Sequence, residues 1–207
     1  MKYYLLLLGF LLAQVASCNR AVVIDDIKNI PETLAADEVF ANVYQSLDGV
    51  WEGEFIIFED TQLKDKSEVE LINIDAQSVK RAGLKEVNRI QVRQEYLSET
   101  PYFQKVKITD TYPENKKQEI SVGVNKVQDG KMWCVVRKPS ETVIHAGSLD
   151  GSKTIIWQRQ ESKPQRIEYF RETVEDQSYE IVGWGYYEGD NPTLSPKLWF
   201  YAKYIRQ

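Results

Sequence analysis

From Gly49 to the C-terminus, apolar residues recur at every second position in short runs, each cut off by residues that favour turns. A period of two is the signature of strands with one buried face. In Val50 to Phe58, the residues Trp51, Gly53, Phe55 and Ile57 share one face. The pattern returns at Ile90 and Val92, at Val106 and Ile108, and at Ile120, Val122 and Val124. It continues through Met132 to Val136, Val143 to Ala146, Thr154 to Gln158, Ile167 to Arg171, Tyr179 to Tyr187 and Leu198 to Ile205. Asp129-Gly130 and Asp150-Gly151 fall between runs, and such pairs adopt the positive φ values of tight hairpins. The pattern predicts an all-β, antiparallel domain of about nine or ten strands joined mostly by short turns.

Consecutive strands in that number expose two edges unless the sheet closes, and an up-and-down β-barrel closes it most simply. A β-sandwich is the alternative. No internal repeat of fixed period is present, which argues against a propeller or a solenoid. Ahead of the first strand, Val39, Phe40, Val43, Tyr44 and Leu47 fall on one face at a period near 3.6, and Asp48-Gly49 supplies a stop. This spacing predicts one short amphipathic helix within 34–47. The whole of 33–207 is therefore read as a single barrel domain, of a length that can bury a core without disulfides.

The first residues, Met1-Lys2-Tyr3-Tyr4, precede an apolar run from Leu5 to Ala13 that is too short to span a bilayer as a helix. Val15-Ala16-Ser17-Cys18 then resembles the lipobox of bacterial lipoproteins. That resemblance implies a signal peptide at 1–17, a diacylated Cys18 and a lipidated N-terminal spacer over 18–32. It also implies a place in the cell envelope, on the periplasmic or surface side of a membrane. The alternative is an ordinary secretory peptide that leaves Cys18 as a thiol. Cys134, the only other cysteine, sits in the apolar Met132-Trp133-Cys134-Val135-Val136 and reads as a small buried hydrophobe. Asn191 is followed by Pro192, so no glycosylation acceptor survives there.

The 207-residue chain has a formal net charge of -5, with its basic residues scattered, which argues against a nucleic-acid partner. His145 is the only histidine, so a multi-histidine metal site is excluded and no metal or cofactor is expected. There is no Gly-x-Ser-x-Gly elbow, no phosphate-cradling glycine loop and no His-Glu-x-x-His helix. Glu52 and Glu54 share a strand face opposite Trp51 and Phe55, which reads as a solvated outer wall.

Leu47-Asp48-Gly49-Val50-Trp51-Glu52-Gly53, a tryptophan in the first strand followed by a meander, resembles the calycin group of lipocalin-like barrels, in particular lipocalin-like bacterial proteins of unknown function. The disulfide pair of secreted lipocalins is absent, and no family ligand carries over. The strand alternation places Trp157 with Arg159, Tyr169 with Arg171, and Trp199 with Tyr201, while Gly183 and Gly185 flank Trp184. Trp51, Trp157, Arg159, Tyr169, Arg171, Trp184 and Tyr201 are accordingly the candidate ligand-binding residues, an apolar lining with arginines able to clamp an anionic group. The same residues also read as core aromatics with arginines outside. The functional reading is a membrane-anchored, noncatalytic binder of a small apolar or amphipathic molecule. A barrel enzyme such as an isomerase or chromophore lyase, using Tyr169, Arg171 or His145, is the alternative, and a structural envelope protein with a filled barrel is a third. Oligomeric state has no signal in the sequence.

Overall fold

A computed structural model describes residues 22–65, 77, 79 and 83–207. Cys18 and the expected signal peptide lie outside the described residues. Ten strands form, each where the alternation predicts one: β1 (Gly49–Glu59), β2 (Lys85–Thr100), β3 (Phe103–Thr111), β4 (Gln118–Gln128), β5 (Lys131–Arg137), β6 (Thr142–Leu149), β7 (Thr154–Ser162), β8 (Gln165–Val174), β9 (Ser178–Tyr186) and β10 (Leu198–Arg206). Each pairs antiparallel with the next, and β10 returns to β1 in register from Trp51↔Arg206 to Glu59↔Leu198, closing the barrel. Asp129 and Gly130, with φ of 55° and 68°, make the two-residue turn between β4 and β5.

Eight strands give an interior that side chains just fill, so ten leave a wider bore. One half of it is filled with aromatics. Trp51, Trp157, Tyr179 and Tyr204 are almost wholly buried there, together with Tyr96, Met132, Val127 and Ile155. The chain before β1 plugs the same end from below. Tyr44 stacks on Trp157 at 6.3 Å and donates its hydroxyl to Lys126 O at 2.9 Å, while Leu47 O accepts from Trp51 Nε1 at 2.7 Å. Asp48 receives Ser98 N, Ser98 Oγ and Gln104 Nε2, and Asp37 receives Gly130 N, so the plug is tied to β2, β3 and the β4–β5 turn. Arg206 closes the seam. Its guanidinium lies 4.1 Å over the Trp51 ring and donates to the carbonyls of Ser46, Asp48 and Asp176.

The plug is not the amphipathic helix that the spacing predicts. Two 3₁₀ turns, Ala35–Phe40 and Gln45–Leu47, stand in its place. Asn42 takes a φ of 62° and gives its backbone N–H to Pro101 O, which ends helical continuation and swings Tyr44 and Leu47 under the barrel. Val39, expected on the packed face, is 78% exposed. Four of the five apolar positions still reach the core from this bent chain: Tyr44 and Leu47 are buried in the floor, and Phe40 and Val43 pack partly against it.

Two patches of the outer wall are also covered. Residues 22–30, within the stretch read as a spacer, lie along β4 and β5. Ile24 and Ile27 pack on Phe103, Val124 and Val135, and the backbone carbonyls of Val22, Val23 and Asp26 accept from Gln128 and Lys126. On the other side, Val79 and Leu84, from the β1–β2 connection, cover Tyr169, Val182, Trp184, Tyr186, Trp199 and Tyr201. Elsewhere the wall is solvated. Glu52 and Glu54 pair there with Arg93 and Arg89, as the alternation of β1 predicts.

The floor should dominate stability. Trp51→Ala is expected to lower the unfolding free energy by about 3–5 kcal/mol, and Arg206→Ala by roughly 1–3 kcal/mol because it strips donors from buried carbonyls. Urea denaturation followed by tryptophan fluorescence measures both. An unmoved midpoint for Trp51→Ala would show that the plug and ring stack do not hold the barrel shut.

Candidate functional site

Above the aromatic floor the bore is not filled. The register places Phe55, Ile90, Ile108, Cys134 and Phe170 on the inner face, yet each keeps part of its surface accessible. This upper half is the candidate site, a chamber with this apolar lining at the end of the β3–β4, β5–β6, β7–β8 and β9–β10 turns.

One wall of the chamber is made of rings. Phe170, Gly183 and Phe200 are direct neighbours across β8, β9 and β10. A Cβ at Gly183 would come within 2.7 Å of the Phe170 ring and 2.5 Å of Tyr169 O. Glycine there lets Phe170 lie across β9 and meet Phe200 at 5.4 Å, and Phe200 in turn meets Phe55 at 5.7 Å. The pairing of β9 runs without a bulge on both sides, so the flanking glycines of Trp184 serve ring packing.

Polar groups enter at two heights. Near the rim, Arg159 is 5% exposed and meets Glu161 at 2.9 Å, Glu141 at 3.1 Å and Glu168 at 3.6 Å. Glu168 also faces His145 Nε2 at 3.4 Å and accepts from Tyr187 Oη at 2.9 Å, and His145 stands edge-on to Phe170 at 5.5 Å. Burial opposes ionisation of Glu168, but His145, Tyr187 and Arg159 outweigh it and hold the carboxyl below its ordinary range. The Arg159 guanidinium is thus committed to three glutamates and is not a free clamp for an anion.

At the bottom of the chamber stands Glu172. Its Oε2 accepts from Trp157 Nε1 at 2.8 Å, and the Tyr179, Tyr96 and Tyr204 rings of the floor crowd it. Burial pushes its pKa up to about 7, more than the hydrogen bond from Trp157 and the nearby Tyr179 hydroxyl pull it down. Burial likewise raises Asp110, which faces inward from β3 opposite Val92. The Cys134 thiol, also inward, is pushed far up by burial and is inert as a nucleophile.

The residues expected from the sequence to bind divide by face. Trp157 and Arg159 point inward, and Trp51 is inward but sealed in the floor. Tyr169, Arg171, Trp184 and Tyr201 lie on the outer wall. There Tyr169 stacks on Trp184 at 5.4 Å, Tyr201 donates to Glu180 at 3.3 Å, and Arg171 pairs with Asp150. The alternation within each strand is as predicted. What misleads is that β9 and β10 are apolar on both faces, because the β1–β2 connection buries the outer one, and that the inward row of β8 is largely charged while Tyr169 on its outer row is buried. Glu172 and Glu168 were legible only after Phe170, not Tyr169, is known to face inward, since they share its parity in β8, whereas Asp110 shares the inward parity of Val106 and Ile108 in β3.

No family model matches the sequence, and no curated protein matches it. Among solved structures the chain is similar to a redesigned β-barrel, with a TM-score of 0.38 and 11% identity over 81% of this chain and 96% of that one. It is also similar to a de novo designed fluorescence-activating β-barrel, with a TM-score of 0.37 and 10% identity over 80% of this chain and 98% of that one. Likeness at this level carries no functional weight, and the barrel rests on this chain's own strand register.

The Glu172 pKa has a sign that can be checked. The folded value of about 7 lies above the ordinary 4.5, so ionised Glu172 opposes folding. The cost is absent below about pH 4.5, grows as pH rises and is complete above about pH 7. Relative to Glu172→Gln, the wild type is expected to lose up to about 3 kcal/mol across that window. Paired urea titrations at several pH values give the difference, and a difference that stays flat from pH 5 to about pH 8 contradicts the burial of this carboxyl.

Proposed function

We propose that this chain is an envelope lipoprotein whose barrel binds a small apolar or amphipathic molecule in its upper half, without catalysis. The observation that carries the reading is the contrast within one bore: a floor packed with aromatics below, and above it inward-facing Phe55, Ile90, Ile108, Cys134 and Phe170 left partly accessible. A barrel serving only as a scaffold needs no such chamber. Membership of the calycin barrels is part of the proposal, supported by the Gly-x-Trp start of β1 and by the closed meander. So is the lipid anchor on Cys18, supported by the small residues before that cysteine.

A second reading, an enzyme that moves a proton on a bound substrate, is favoured by the His145–Glu168 contact of 3.4 Å inside the chamber. Tyr169 and Arg171, on the outer wall, have no part in it. Native mass spectrometry of the protein from its own host, followed by incubation of the released molecule with wild type and His145→Gln, separates the two. Chemical conversion that the variant abolishes identifies an enzyme.

Chamber and outer wall can be told apart directly. Cys134→Phe, which adds a ring in the open space, is expected to weaken binding of a neutral apolar dye such as N-phenylnaphthylamine by roughly tenfold or more. Arg171→Ala, on the wall, should leave binding unchanged. The opposite pattern places the site outside, and no dye binding by the wild type supports a filled structural barrel. For the anchor, Cys18→Ser is expected to move the protein from membranes to the soluble fraction with its fold intact, since two acyl chains contribute about 0.8 kcal/mol per buried methylene. Equal membrane association of wild type and variant, or an unmodified mature N-terminus, removes the lipoprotein part of the reading.

A further inference from the structure

Among the described residues, the charges inside the chamber do not balance. Arg159 and Arg166 are the inward guanidiniums, and Glu141, Glu161 and Glu168 surround them. At the rim Glu119 is held by Lys117. Two inward carboxyls are left over, Asp110 and Glu172. Among the described residues neither has a cation within salt-bridge distance, the nearest to Asp110 in effect being Lys138 at the rim. The groups facing Glu172 from the strands around it are Trp157 of β7, Tyr179 of β9, Tyr96 of β2, Cys134 of β5 and Tyr204 of β10. None of these is cationic, and the tyrosines and the thiol are held neutral by burial.

Buried carboxylates in proteins are ordinarily paired, because ionisation in an apolar setting is costly without a partner. Next to the Glu172 carboxyl, the wholly buried Tyr179 hydroxyl lacks a hydrogen bond of good geometry. A donor group at this spot would serve both. The apolar rings of Phe55, Phe170 and Phe200 stand above it and suit a hydrocarbon or aromatic body.

We infer that the chamber is built for a small amphipathic amine, whose protonated head is taken by the Glu172 carboxylate at the floor while its apolar body lies along the Phe55–Phe200–Phe170 wall. This rests on the proposed binding role of the barrel and narrows it to one ligand class. The aromatic floor adds faces that attract a cation. Anionic ligands are disfavoured, since they meet the uncompensated carboxyls and find Arg159 already occupied. Because the ammonium completes the missing pair, its binding pulls the Glu172 pKa down, and binding strengthens as pH rises through neutrality.

Three probes of matched length, n-octylamine, n-octanol and octanoate, test this by calorimetry on the barrel at about pH 6 and about pH 8. The wild type is expected to bind octylamine roughly tenfold or more tightly than octanol and to bind octanoate least, with the amine preference larger at the higher pH. Glu172→Gln should remove that preference, so that octylamine binds no more tightly than octanol. Should the variant not fold, the carboxyl carbon resonance of Glu172 in labelled wild type gives the same answer, shifting toward the ionised value when octylamine is added near neutrality. Equal binding of the three probes, or tightest binding of octanoate, overturns the amine inference and leaves the apolar chamber standing. An amine preference that survives in Glu172→Gln overturns Glu172 as its seat. If none of the three binds and N-phenylnaphthylamine does not bind either, the binding role itself fails.

Discussion

A closed ring of ten antiparallel strands is wider than ordinary aliphatic side chains can span, and the rest of this structure follows from how that width is handled. Filling it takes rings from several sides at once, which is why Trp51, Trp157, Tyr96, Tyr179 and Tyr204 meet at one level. They could not do so without a lid beneath, and the bent chain carrying Tyr44 and Leu47 is that lid. Gly183 applies the same economy of space higher up, giving its volume to Phe170. Where no such residues converge the bore stays open. The chamber is therefore a direct result of strand number combined with an uneven distribution of large side chains along the strands.

The architecture was legible because alternation survives any choice of face: all ten runs became strands, and Asp129-Gly130 became their tight turn. The identity of the inner face was not legible in β4 or in β8 to β10. In β4 the apolar Ile120, Val122 and Val124 face out, while Ser121, Gly123 and Asn125 face the bore. In β9 and β10 both faces are apolar, for different reasons: one packs the interior and the other is roofed by Val79 and Leu84, while the inward row of β8 carries Arg166, Glu168 and Glu172 beside Phe170. A period of two reports that two faces differ only when one of them meets water. The helix was misread for a related reason, since apolar spacing says which residues are buried and Asn42 decides what backbone carries them.

The electrostatics of the bore show two solutions to one problem. Arg159, nearly sequestered, is stabilised by being surrounded with carboxylates from the β5–β6 turn, β7 and β8, which it holds in turn. Glu172 is given no counter-charge and settles near the midpoint of its titration at neutral pH, with an indole N–H as its firm support. The first arrangement makes structure. The second leaves a group whose charge state depends on what lies next to it.

The strap formed by residues 22–30 fixes a direction as well as covering a patch. Gln128, which holds the carbonyl of Val22, is the last residue of β4 before the turn at the plugged end. The described chain therefore enters the fold beside the floor. The mouth is at the far end, roughly 25–30 Å away along tilted strands of this length. Any surface to which the N-terminus is joined thus faces the sealed base, like a cup standing on its foot. Under the proposed anchoring, a ligand reaches the chamber from the bulk phase above it, and one embedded in the supporting surface must first leave that surface.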